Sequence, residues 1–301
     1  MQSPDAAAEA CWHGALPAVF TLAPDEITTL QPPRAFRACL PRQTFLPFGI
    51  YDSVRSHFEP FGPPMGGKMW LEHAGTPLRW HLPVGVLFDL LAGEEATASL
   101  PWAITVHFQS FPEEQLMQAS AQEAEAILLH ALKESCFLRC GSAMPAMSLS
   151  PASQQALVDA LATDDLAAAH AGYVPIMQHI ASAVQMQLGG RTAPRAVPIR
   201  LFTSVAKWRQ QPLSPVAPSG APATLRDALQ QLLPATTLAA PVDATAAAEG
   251  GNPKAGADSV DASWDAVVQG VRMPVDTPLQ WLWSACAHPD GWLYVSVRLL
   301  S

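Results

Sequence analysis

Two stretches far apart in this chain carry the same three features in the same order. "GTPLRWHLPVGVLFDLL" (75–91) leads into "LPWAITVHFQ" (100–109), and "DTPLQWLWSACA" (276–287) leads into "GWLYVSVRLL" (291–300). Each runs Thr-Pro-Leu-(Arg/Gln)-Trp, then an apolar helix-like run, then a Trp opening an alternating segment. "ITVHF" and "LYVSV" alternate strong strand formers, the signature of a strand with one buried face. Ordered self-similarity of this kind betrays duplicated architecture.

The upstream segments extend both halves. In the first, "LPAVFTL" (16–22) reads as a strand, "YDSVRSHFEPF" (51–61) as a helix and "MWLEH" (69–73) as a strand. In the second, "AVPIRLFTSV" (196–205) is a strand. "TLRDALQQLLP" (224–234) is a helix capped by Thr224 with Asp227 at N3, and "DAVVQGVRM" (265–273) is the next strand. Strands before and after one main helix define a small α+β unit, a four-strand sheet gripping a helix as in ubiquitin.

Between the halves lies a helical stretch. Ser120 with Glu123 forms a capping box, and Gly141 offers the left-handed residue that ends the helix. Ser150 and Pro151 start a second helix, and "VPIMQHIASAVQMQLGG" (174–190) reads as a third. The expected organisation is therefore α+β with two ubiquitin-like β-grasp domains, 1–119 and 193–301, flanking a helix-rich domain, 120–192. Residues 206–223 ("QQPLSPVAPSGAP" and its flanks) read as loose. Residues 235–263, almost free of large apolar side chains, read as a long disordered loop, because such a segment buries too little surface to offset its ordering entropy.

Charge narrows the function. The net charge is −9 and only 14% of residues are charged, so the chain lacks the basic face of a nucleic-acid binder. Five scattered cysteines suit reduced thiols. The N-terminus lacks the basic start and apolar run of a signal peptide, and no apolar run is long enough to cross a membrane. A cytoplasmic protein is expected.

Enzyme chemistry finds no footing. No HExxH, GxSxG, P-loop or GxGxxG is present. Cys136 and Cys140, four apart on one helix, have no second pair to complete a metal site, and a thiol enzyme would need a paired base that is absent. His81 and His107 read as packed histidines, and "LGGR" (188–191) as a glycine helix end. No catalytic residue, metal or cofactor is expected.

One residue stands out. The chain has four lysines, Lys68, Lys133, Lys207 and Lys254. On a helix over 120–140, Ala124, Ile127, Ala131, Ser135 and Leu138 form one face, with Leu128 beside it. Lys133 projects roughly opposite, one turn from Leu129 and Phe137 and close to His130 and Cys136. Two readings fit: a helix buried nearly all round with Lys133 snorkelling outward, or a docking patch of Leu129, Cys136 and Phe137 with an amine at its centre.

"PLRWHLPVGVLFDLL", "LPWAITVHFQSFPE", "LKESC", "CWHGALPAVFTLAPDEIT", "TLRDALQQLLP" and "TPLQWLWSACAHPDGWLYVSV" together resemble the autophagy protein 5 family, from about residue 11 to 300. "LKESCFLRCG", followed by a helix after "SLS", is most similar to the plant-type members. The resemblance implies that the lysine of the "LKE" segment, here Lys133, is the isopeptide acceptor for the C-terminal glycine of the ubiquitin-like autophagy protein 12. It implies that the conjugate binds the N-terminal helix of autophagy protein 16 and acts as an E3-like complex. That complex promotes transfer of autophagy protein 8 to phosphatidylethanolamine during autophagosome formation. Autophagy proteins 10 and 3 would be transient E2-like partners, with peripheral contact at the preautophagosomal membrane. This chain would be acceptor and scaffold rather than enzyme. The alternative is a ubiquitin-fold adaptor that binds partners only non-covalently.

The composition of the 235–263 segment generates a first expectation. Deleting residues 243–262 leaves stability within about 2 kcal/mol of the parent, since loop length costs little closure entropy. Urea denaturation of the two chains measures the difference.

Overall fold

The structure, a computed structural model, describes residues 3–63, 67–92, 99–163, 165–191, 193–233 and 264–299. The whole 235–263 segment expected to be a disordered loop, with the 243–262 deletion and Lys254 inside it, lies outside the described residues.

The first sheet contains β1 (Ala15–Leu22), β2 (Phe36–Pro41), β3 (Trp70–His73), β4 (Thr76–Pro77) and β5 (Trp102–His107), in the order β2-β1-β5-β3-β4. The second contains β6 (Val197–Ser204), β7 (Lys207–Leu213), β8 (Trp264–Val268), β9 (Val271–Arg272) and β10 (Leu293–Leu299), in the order β7-β6-β10-β8-β9. The two orders are the same when each strand is matched to its counterpart. In both sheets the central pair is parallel, β1 with β5 and β6 with β10, and the outer pairs are antiparallel. Each sheet has five strands rather than four, the extra one being a two-residue edge strand.

Alternation builds the cores. Leu16, Ala18, Phe20 and Leu22 of β1 face inward with Trp102, Ile104 and Val106 of β5. They pack beneath helices α2 (Tyr51–Phe58) and α3 (Val84–Leu91). The helical region comprises α4 (Ala121–Cys140), α5 (Met144–Met147), α6 (Pro151–Ala162) and α7 (Leu166–Gln187). It shares a continuous apolar core with the first unit. The second unit has its own core, closed by α8 (Leu225–Leu232) and by the helix Leu279–Cys286, here α9.

The repeated motif is out of phase with the repeated topology. Thr76–Pro77 is a strand and Trp80 lies in the turn before α3, whereas Leu279 already begins α9 and Trp281 lies inside it. The tryptophans that open β5 and precede β10 diverge too. Both are fully buried, but Trp102 packs within its own unit against Phe88, while Trp292 donates its Nε1–H to the Ala131 carbonyl of α4 at 3.0 Å.

Several expectations need correction. Residues 207–213 are not loose: they form β7, paired with β6 from Val197↔Leu213 to Ser204↔Lys207. The segment "KWRQQPL" is an exposed edge strand whose order comes from backbone pairing, so it shows no alternation. The following turn is also ordered, by hydrogen bonds such as Ala217 N–H to the Ala221 carbonyl at 2.9 Å. Helix α7 starts at Leu166, capped by the Asp165 side chain on Ala168 N–H at 3.0 Å, and runs through Pro175. A proline there removes one helical hydrogen bond, and the buried neighbours Ala169, Ile176 and Ile180 hold the helix through it. At Ser120 the Glu123 carboxylate accepts from the Ser hydroxyl (2.9 Å), while the Ser oxygen accepts from Glu123 N–H (3.1 Å). The full reciprocal capping box is at Thr224 and Asp227.

Helices α1 and α3 tie the units together. Helix α1 (Pro4–Trp12), begun by Ser3 and Pro4, packs on α9. Trp12 donates to the Leu166 carbonyl at 3.0 Å and stacks on Tyr173 of α7 at 4.3 Å. Arg42, at the end of β2, pairs with the buried Asp89 of α3 at 2.6 Å, and Asp89 also accepts Gly270 N–H from the second unit at 2.9 Å.

A buried polar network lies at the second junction. Asp290, 1% exposed, pairs with His288 at 3.1 Å and accepts from Trp292 N–H at 2.9 Å and the Tyr294 hydroxyl at 2.6 Å. His288 donates Nε2–H to the Gln43 carbonyl of the first unit at 2.8 Å. Arg200 donates to the Tyr294 oxygen at 3.0 Å and lies over the Trp292 ring at 4.2 Å. Burial opposes ionisation of Asp290, but His288, Arg200 and the Tyr294 hydroxyl outweigh it and hold the carboxyl below its ordinary value. A depressed folded value gives stability that is complete above the unfolded pKa, about 3.9, and is lost as pH falls through the folded value. Asp290→Asn is therefore expected to cost about 3–5 kcal/mol at pH 7. The difference from the parent should shrink as pH drops below about 4, as read by urea denaturation across pH.

Candidate functional site

Three contacts fix the rotation of α4. Trp292 holds the Ala131 carbonyl. Gly291 comes so close to Ser135 that a Cβ there would lie 2.2 Å from the hydroxyl oxygen, and its φ of +82° also favours glycine. Glu134 accepts from Gln210 at 2.6 Å and pairs with Arg200 at 3.3 Å. The buried side of the helix is Ala124, Leu128, Ala131, Leu132, Ser135, Cys136, Arg139 and Cys140.

This face is turned from the one expected by periodicity, with Ile127 and Leu138 only partly buried. Lys133 is half-buried, with half-buried Leu129 one turn before it and Phe137, 57% exposed, one turn after. His130 beside them is exposed. Cys136 is a correction: expected in the docking patch, it is 0% exposed and sits in the core. Burial pushes its thiol pKa up, and the Cys140 thiol donates to its carbonyl at 3.2 Å. At about 80° from Leu128 and only about 40° from Leu132, a side chain at 136 falls inside the arc turned to the core, by about 100° per residue.

Among the described residues Lys133 has no ion-pair partner. Its sequence neighbour Glu134 is engaged by Arg200 and Gln210, and no carboxylate stands at the helical neighbours 129, 130, 136 or 137, where i,i+3 and i,i+4 pairs form. The amine is thus left free on a small apolar stripe. Lys68, by contrast, is held by Glu113 at 2.9 Å and lies over Phe111. Lys207 opens the exposed edge strand β7.

The other histidines and glycines singled out by sequence are structural. His107 stacks on Trp70 at 4.1 Å and faces Glu26 at 3.1 Å. His81 is held below its ordinary pKa, chiefly by burial. Gly189 and Gly190 adopt positive φ just past α7.

A groove of about 720 Å³ went unseen in the sequence. Its walls come from α1 (Glu9, Trp12), α7 (Tyr173, Met177) and α9 with the segment after it (Trp283, Ala287). Arg139 closes its floor, with its guanidinium over Trp283 at 4.3 Å. The lining is mainly apolar and spans all three parts of the chain. The only advance signal was the tryptophan excess, nine in 301 residues, since tryptophan marks binding surfaces.

Two β-grasp units of identical topology, bracketing a helical bundle and sharing a groove with it, define a protein of the double ubiquitin-fold class. Family models described as the UblA domain, alpha-helical bundle region and UblB domain of autophagy protein ATG5 match residues 11–108, 121–168 and 196–297. The chain belongs to the autophagy protein 5 family, which gives it a role in autophagy. It is 29% identical to autophagy protein 5 of Neosartorya fischeri over 97% of this chain and 94% of that one. It is 32% identical to autophagy protein 5 of Oryza sativa subsp. indica over 65% of this chain and 55% of that one. The crystal structure of Kluyveromyces marxianus Atg5 shares the fold, with a TM-score of 0.69 at 18% identity, covering 97% of this chain and 99% of that one.

The burial difference along α4 sets an expectation. Phe137→Asp should change stability by no more than about 0.5 kcal/mol, because the ring is mostly in solvent. Cys136→Asp should cost several times that, because it buries an unpaired carboxylate. Thermal melts of the two variants make the comparison.

Proposed function

We propose that Lys133 is the acceptor of an isopeptide bond with the C-terminal glycine of autophagy protein 12. The observation that carries this reading is an amine without an ionic partner, centred on an apolar surface stripe of a helix fixed in rotation by three contacts. In the transfer, an E2-like enzyme, autophagy protein 10, presents the modifier as a thioester. Lys133 Nζ loses a proton and attacks the thioester carbonyl. The C–N bond forms, the C–S bond breaks, the enzyme's thiolate leaves, and the nitrogen gives its second proton to that thiolate or to water, leaving the neutral amide. Leu129 and Phe137 give the incoming protein an apolar footing, and docking removes water from around the amine, favouring its neutral form.

The groove between α1, α7 and α9 supports a second part of the reading. Its length along helices and its apolar walls suit an amphipathic helix, such as the N-terminal helix of autophagy protein 16. The conjugate would then act as an E3-like complex with autophagy protein 3, directing autophagy protein 8 to phosphatidylethanolamine at the preautophagosomal membrane. This chain supplies the acceptor and the frame, not the catalytic thiol. No described helix is long and apolar enough to cross a membrane, so contact with lipid would be peripheral.

The test is reconstitution with the E1-like and E2-like enzymes, followed by denaturing electrophoresis. Lys133→Arg should keep the fold, because charge and length are nearly retained, and should abolish the shifted band, because arginine does not give up its proton in a protein. Arg at Lys68, Lys207 or Lys254 should leave the band in place. A band that survives in Lys133→Arg overturns the assignment. Absence of any band in the parent supports the non-covalent adaptor instead.

A further inference from the structure

At the rim of the groove, three side chains from two helices converge. Glu9 and His13 stand four residues apart, on the last turn and at the C-terminal end of α1, and so share one face. His170 reaches toward them from the second turn of α7. One ligand atom of each, a carboxylate oxygen and two imidazole nitrogens, lies within 4.8 Å of the other two. The His13 and His170 ring centroids are 5.7 Å apart. Among the described residues, this is the group of histidine, cysteine and carboxylate donors that closes to such a distance.

The geometry points to a binding site for a transition-metal divalent cation such as Zn2+, held by Glu9, His13 and His170. Two imidazoles and one carboxylate form a donor set that zinc accepts, with a fourth position left to water or to a partner's side chain. Ligand bonds of about 2.0–2.2 Å place tetrahedral donors about 3.3–3.5 Å apart. Glu9 and His13 are exposed and His170 is half-buried, so rotamer changes alone can draw the atoms together. A magnesium or calcium ion, which prefers an all-oxygen shell, does not fit two imidazoles.

The backbone beneath the site is already fixed. Trp12, between Glu9 and His13 in sequence, is fully packed: it donates to the Leu166 carbonyl and stacks on Tyr173. Its ring also lies 5.9 Å from that of His170. Helices α1 and α7 therefore hold their relative positions before any ion arrives, and little ordering is left for binding to bring about. The bound ion would join the start of the chain to the helical region across one wall of the groove. This site stands on its own three side chains and does not depend on the conjugation reading.

The test uses the full chain with Zn2+ as the probe, titrated in competition with a chromophoric chelator. One equivalent of Zn2+ should bind, and His13→Gln and His170→Gln should each weaken binding by at least about tenfold. Cys39→Ser and His57→Gln, at other accessible donors, should leave it unchanged. Co2+ should give a visible absorption band in the parent that is lost in His170→Gln. A Zn2+-dependent rise in Tm should occur in the parent and be absent in Glu9→Gln, which guards against a variant that binds poorly because it folds poorly. No stoichiometric binding by the parent, or binding unaltered in both histidine variants, overturns the proposal.

Discussion

Arg200 is the residue on which the arrangement of the two halves depends. It lies on β6, over the Trp292 ring, and reaches Tyr294 on one side and Glu134 of α4 on the other. Tyr294 passes the network on to buried Asp290, and Asp290 to His288, which bonds the first unit at Gln43. One charged chain thus links the second sheet, the central helix and the first unit. Its members are costly to bury singly, because an unpaired internal charge forfeits several kcal/mol. Held together they demand one geometry, and that geometry sets which way α4 faces. Apolar packing sets how tightly the parts are joined, and Trp292 alone buries an area of about 150–250 Å², worth about 4–6 kcal/mol at the usual coefficient before entropy is charged against it.

The amine of Lys133 inherits its position from this network. Glu134 faces the second sheet because Arg200 and Gln210 hold it. Ser135 faces Gly291, which has no side chain to push it away. With residues 131, 134 and 135 committed, 133 must project from the other side of the helix. The "LKES" segment thus combines one free residue with two anchoring ones. The lysine is placed by its neighbours, without an ion pair of its own among the described residues to hold it.

Much of this was legible in the sequence, and what was not shares a cause. The central strands and α2, α8 and α4 carry alternation, periodicity and caps, all local signals. The motif "TPL-x-W" pointed to two units of one topology, although its own residues fall in different places in the two. Strand β2 alternates only weakly, with Leu40 its single buried residue and Phe36 and Ala38 partly buried, and β7 is exposed along nearly its whole length. Both exist because a neighbour supplies hydrogen bonds, which no local pattern records. Helix α1 had a start signal in Ser3 and Pro4, but its alanine-rich body has no strong apolar face, and its purpose lies in contacts with α7 and α9 far along the chain. On α4 the period was right and the phase was shifted: Ala124, Ala131 and Ser135 of the expected face are buried, but the buried arc extends to Leu132, Cys136 and Arg139 rather than to Ile127 and Leu138. The groove left no signal beyond the tryptophan excess, since its walls meet only in the folded chain.

The division between arginine and lysine follows the same logic. Of 17 basic residues four are lysines, which leaves 17 − 4 = 13 arginines. Arginines occupy the joints: Arg42 with Asp89, Arg139 over Trp283, Arg200 in the central network. A planar guanidinium can stack on a ring and donate in several directions, and it is less strongly hydrated than an ammonium, so it is the cation better suited to a buried joint. It also stays protonated, so it offers no nucleophile wherever it is placed. A chain whose joints are made with arginine keeps its cationic contacts while presenting very few amines. Of the lysines in the described residues, one is ion-paired, one opens an edge strand, and one stands without an ionic partner on an apolar stripe. On the proposed conjugation reading, selectivity among amines needs little discrimination by an incoming enzyme, because the composition of the chain has already removed most of the alternatives.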